Sequence, residues 1–95
     1  MPIEDTLIFD IKNIINKGDL TALQTHYADL QNGYDWSERA PDWPYVLQKV
    51  YLHACLKRRR DMADWLEGLF VSVMDPIQQI AYRHTLNYGR VLLRK

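Results

Sequence analysis

The stretch from Asp42 to Phe70, DWPYVLQKVYLHACLKRRRDMADWLEGLF, constrains the fold more than any other part of the chain. It reads as two helices back to back with a basic turn between them. Asp42 can accept hydrogen bonds from the free amides of a first helical turn, and Pro44 sits where its missing N–H costs nothing. Leu47, Val50, Tyr51, Ala54 and Cys55 then recur at i, i+3, i+4, i+7, i+8, which is one face of a helix. A second stripe, Tyr45, Leu52 and Leu56, lies on another side. A helix apolar on more than one side is covered on more than one side, so this is the expected central helix.

Its partner is expected to begin near Asp61, a favourable charge at a helix N-terminus. Met62, Trp65, Leu66, Leu69 and Phe70 repeat at the same spacing, leaving Asp64, Glu67 and Gly68 for solvent. Lys57 to Arg60 is too short for a domain linker, so the two helices fold back as an antiparallel hairpin.

The rest of the chain repeats the theme. A first helix is predicted over residues 5–17, capped by Asp5 or Thr6, with Leu7, Ile8, Ile11, Ile14 and Ile15 as its apolar face. Gly18 stops it by taking a left-handed conformation. Asp19 caps a second helix to about Gln31, with Leu20, Leu23, Tyr27 and Leu30 on one side. Asn32-Gly33 breaks the pattern and opens an irregular stretch to Pro41 that carries Tyr34 and Trp36. After the central hairpin, Val71 to Met74 reads as a β-branched connector. Asp75-Pro76 opens another helix, with Ile77, Ile80, Ala81 and His84 on its face and Tyr88 one turn further. Gly89 is expected to interrupt that helix; a helix continuing through it to Leu93 would pay about 1 kcal/mol for the glycine.

Ninety-five residues form one domain over 1–95, at the small end of what a single core supports. An apolar content of 47% argues for a packed globule, and a formal net charge of zero removes any global attraction to nucleic acid or anionic membrane. The N-terminus, MPIEDTLIFD, lacks the basic flank and apolar run of a secretory signal. No apolar window is long enough to span a bilayer. The single cysteine, Cys55, falls on the core stripe, and an intracellular location is expected.

Three helix pairs echo one another. Tyr51-Leu52-His53 returns thirty-one residues later as Tyr82-Arg83-His84, and Gly18-Asp19-Leu20, Arg58-Arg59-Arg60 and Gly89-Arg90-Val91 fall at comparable turns. Hairpins repeating every roughly 30 to 40 residues mark a helical solenoid. The segments INKGDLTALQTHY and LHACLKRRRDMADWL resemble the second half of an ankyrin repeat: a helix ending in a small pair, a tight turn, then an apolar pair with Trp-Leu. The Tyr-Leu-His-Ala-Cys and Ala-Asp-Trp-Leu combination is similar to divergent ankyrin-like proteins of large DNA viruses, over about residues 10–93. Arg58 stands where such repeats usually carry glycine, no Thr-Pro-Leu-His opens a repeat, and nothing reads as a β-hairpin finger. The resemblance implies an all-α fold of five or six helices in stacked antiparallel hairpins, an ankyrin-like short solenoid.

Two clusters are candidate partner-binding sites. The run Lys57, Arg58, Arg59 and Arg60 is either a solvated turn that neutralises the carbonyl end of the preceding helix, or a dock for a carboxylate- or phosphate-bearing partner. It lacks the extended basic face and interleaved aromatics of a nucleic-acid site. Tyr34, Trp36 and Trp43 either cover a core edge or anchor a protein partner. His26, His53 and His84 lie on different helices without metal-ligand spacing, and read as core-edge residues bonded to backbone carbonyls. His53 and Cys55, two apart on a helix, point in different directions and form no nucleophile–base pair. Asp61 and Asp64 read as a charged outer face. No glycine-rich phosphate loop, serine elbow or metalloprotease motif occurs, and no cofactor is implied. The expected function is therefore a non-enzymatic protein-interaction module, with self-association, or a structural subunit of a virion or other stable assembly, as the alternative.

Overall fold

Local chemistry sets where each helix begins and ends. The computed structural model describes residues 3–33 and 41–94. Among them the chain forms α1 (Ile3–Lys17), α2 (Leu20–Gly33), α3 (Trp43–Leu56), α4 (Arg60–Val73), α5 (Pro76–Ala81) and α6 (Arg83–Arg94), with no strand. The fold is all-α.

Helix α1 begins two residues before the expected start, so Asp5 and Thr6 lie inside its first turns rather than capping it. Leu7, Ile8, Ile11 and Ile15 are buried and Ile14 is half-buried, as the periodicity requires. Gly18 ends α1 at φ +76°, and Asp19 caps α2 by accepting from the Ala22 N–H at 3.1 Å. Asp42 caps α3 in the same way, accepting from Tyr45 N–H at 3.3 Å.

Helix α3 is the centre of the molecule, packed by α1, α4 and α6. Leu47, Val50, Tyr51, Ala54 and Cys55 are fully buried, joined by Val46, which the sequence stripe omitted. The second stripe does not cover α3: Leu56 is exposed, Tyr45 lies at the surface and only Leu52 packs against the core. The burial comes instead from one broad face wide enough for three neighbours. Helix α4 buries Met62, Ala63, Leu66 and Phe70, with Trp65 and Leu69 packed at the margin. Glu67 is half-buried and pairs with Arg90 of α6, so it is not left to solvent. Residues 71–73 continue α4; only Met74, the extended C-cap, and Asp75 separate it from α5.

The third pair departs from the first two. Helices α1 and α2 lie beside α3 and α4, with α1 against α3 and α2 against α4. Continuing that array would place α5 along α3. It is α6 that packs there, running in the same direction as α3: Gln48 bonds Thr85, Tyr51 bonds the Leu86 carbonyl, and Arg60 bonds the Leu93 carbonyl. The apparent Tyr-x-His repeat is thus not structural, since Tyr51 is inside α3 and Tyr82 caps the end of α5.

The helix after Pro76 breaks at Tyr82, where the ring packs edge-on against Phe70 at 5.4 Å, and not at Gly89. This break shifts the helical phase, so Ile77, Ile80, Ala81, His84 and Tyr88 form no core face and all are exposed. Tyr82, Leu86, Leu92 and Leu93 pack on the core in their place. Gly89 is buried inside α6 because a Cβ there would lie 2.5–2.7 Å from the Tyr51 ring. The glycine permits close approach of two helices; it does not end one.

Candidate interaction surfaces

The basic turn is built from the ends of five helices. Arg58 takes φ +57°, with its N–H bonded to the Cys55 carbonyl and that of Arg59 to the Ala54 carbonyl, the paired bonds of a Schellman stop. Arg58 is thus a non-glycine residue in the left-handed conformation that this stop requires. Three helix C-termini converge here. Arg59 donates to the Asn16 carbonyl in the last turn of α1 at 3.2 Å, and Arg60 to the Leu93 carbonyl in the last turn of α6 at 3.1 Å. The Lys57 N–H closes α3 itself on the His53 carbonyl at 3.0 Å. The N-termini of α2 and α4 start at the same end and carry Asp19 and Asp61. The Arg59 and Arg60 guanidiniums lie on the negative ends of α1 and α6, while Arg59 and Arg60 themselves start α4, where Asp61 supplies the favourable charge.

Two of the four cations thus bond to other parts of the chain, on helices other than the one they follow. The Arg59 guanidinium also lies 3.0 Å from where a Cβ on Gly18 would project, so the first turn of the chain is clamped by the third. All four residues of the run, Lys57 to Arg60, are exposed. Residue spacing could not show these partners, because the accepting carbonyls are 43 and 33 positions away.

Of the aromatic cluster, Tyr34 and Trp36 lie outside the described residues. Trp43 is half-buried at the start of α3 and meets Tyr27 edge-on at 5.5 Å, while Tyr27 meets Trp65 edge-on at 5.8 Å. This ladder joins α2 to both helices of the central hairpin.

The histidines do not behave alike. His53 Nε2 is 2.7 Å from Asn16 Oδ1, a side-chain partner rather than a backbone carbonyl. Burial, then Lys12 and Lys57, hold its pKa below the ordinary histidine range. His26 Nε2 is buried without a hydrogen bond among the described residues, and His84 is exposed. No three metal-ligating side chains come together among the described residues. Burial pushes the Tyr51 hydroxyl and the Cys55 thiol above their ordinary ranges, so both stay protonated at neutral pH.

The surface that sequence reasoning missed is α5. None of its six residues is buried, and Ile77 and Ile80 are 78% and 74% exposed. The helix is held at its N-terminal end. Asp75 accepts from Gln78 N–H at 2.7 Å in a capping box, and Gln79 Nε2 donates to the Met74 carbonyl at 3.2 Å. Beside it an open groove of about 430 Å³ is lined by Val71, Pro76, Gln79, Ile80, Arg83 and Leu86. Arg83 is exposed and makes no ion pair among the described residues. No helix among the described residues is long and apolar enough to cross a membrane. Comparison with protein-family models, curated proteins and solved structures gives no match to this chain.

Proposed function

We propose that this chain is a non-enzymatic protein-interaction module that acts inside the cell and binds through the α5 face. The supporting observation is the pair Ile77 and Ile80, both about three-quarters exposed beside an apolar groove, on a helix that contributes nothing to the core. Contiguous apolar surface on a small protein carries a hydration cost that binding removes. The helical-hairpin arrangement of α1–α4 and its resemblance to divergent ankyrin-like segments favour the same class of function, since such arrays present side chains along a face rather than in a catalytic pocket.

Arg59 and Arg60 are engaged with helix termini, so the basic turn offers a partner chiefly Lys57 and Arg58. The test is capture from the native source with the wild-type chain and an Ile77→Asp/Ile80→Asp variant, with bound proteins identified by mass spectrometry. The reading expects partners retained by the wild type and lost by the variant, while Arg58→Glu changes capture little. Identical capture by the wild type and the α5 variant would overturn it.

A further inference from the structure

We propose that the α5 face pairs with the α5 face of a second copy, antiparallel across a two-fold axis. This inference rests on reading that face as a contact surface and adds the identity of its occupant. A two-fold contact requires one patch to carry both a projection and the recess that receives it. The α5 face has both. Ile77 projects one helical turn from Ile80 and stands outside the groove, while Val71, Pro76, Ile80 and Leu86 give the groove an apolar lining. Turning a second copy about the midpoint between Ile77 and Ile80 brings each Ile77 toward the other copy's Ile80 and groove.

Charge fixes the same register. Asp75 is exposed at the start of α5 and Arg83 is exposed on the groove rim just beyond its end. Antiparallel pairing sets Asp75 of one copy beside Arg83 of the other, twice per dimer, whereas parallel pairing would place like charges together. Asp75 remains able to accept, since only one of its oxygens is committed to the Gln78 N–H. Helix α5 has only six residues, against the roughly 20–30 a side of a stable complex, so the dimer is a weak one, with dissociation on the order of 100 µM.

Sedimentation equilibrium on the full chain, from about 10 µM to about 1 mM, tests this. The mean mass should rise from 11.3 kDa toward twice that value. Ile77→Asp/Ile80→Asp should stay monomeric throughout with unchanged helical circular dichroism, since both residues are exposed. Asp75→Asn keeps a good helix cap and removes only the charge. That variant and Arg83→Gln should each weaken the dimer about two- to fivefold, and the double variant should be no weaker than either single one. A monomer at 1 mM overturns the proposal, even where the isoleucine variant loses a different captured protein and so leaves the contact-surface reading standing. Dimerisation indifferent to the isoleucines, or additive effects of the two charge changes, would overturn it equally.

Discussion

The basic turn and the α5 helix are opposites in composition, and each is placed where the other's composition would suggest. Lys57 to Arg60 is the densest run of charge in the chain, yet Arg59 and Arg60 reach across the surface to the carbonyl ends of α1 and α6. Helix α5 carries two isoleucines, yet both face solvent. The difference lies in the surroundings of each segment. Three helix C-termini meet at the turn and leave carbonyls without intrahelical partners, a demand that guanidinium groups satisfy. Around α5 the core is already closed by Tyr82, Leu86 and Phe70, so its aliphatic side chains have nothing left to cover. Charge at the turn meets unsatisfied backbone; apolar surface at α5 lies beyond a completed core and is left exposed.

The glycines sharpen this contrast between supported and free surface. Gly89→Ala would drive a methyl into the buried Tyr51 ring and should cost about 2 kcal/mol in urea unfolding, despite the better helix propensity of alanine. Gly68 sits in α4 with open space around it, so Gly68→Ala should instead raise stability by about 0.5–1 kcal/mol. Equal effects at the two sites would mean that α6 does not lie on Tyr51 as described. Within the basic turn, Arg58→Gly should relieve the left-handed backbone and raise the melting temperature, by about 0.5–1 kcal/mol in free energy. A fall on that change would show that the Arg58 side chain, not its backbone, supports the turn.

The smallest expected effect is electrostatic. The folded chain holds the His53 pKa below its unfolded value, so the unfolded state binds the extra proton first as pH falls. Stability should therefore be level above about pH 6.5 and decline below it. His53→Gln should flatten that decline when melting temperature is followed from neutral to mildly acidic pH. A decline of the same size in the variant would assign it to other groups.

Much of this architecture is written in local pattern. The buried faces of α1, α3 and α4 follow the helical period, and the caps at Asp19, Asp42 and Asp75 stand where their side chains demand. The features that were not legible depend on partners distant in the chain. Gly89 looks like a breaker until the Tyr51 ring is seen beneath it. The Val71–Val73 segment looks like a connector because β-branched residues favour strands, but α4 runs through it, with Val73 packed on the core. The phase of the face after Pro76 is not legible in the sequence because a six-residue helix is too short to show a period, and the break at Tyr82 resets it. The exposed surface at α5 is a consequence of that reset.

Chemical unfolding of two paired variants tests the inversion most directly. Arg59→Ala/Arg60→Ala should lose about 1–2 kcal/mol of stability, because two helix C-termini lose their cations. Ile77→Ser/Ile80→Ser should fall within about 0.5 kcal/mol of the parent at concentrations where the chain is monomeric. The reverse order, with the isoleucine variant the less stable of the two, would show that α5 belongs to the core and that the basic turn is only a solvated loop.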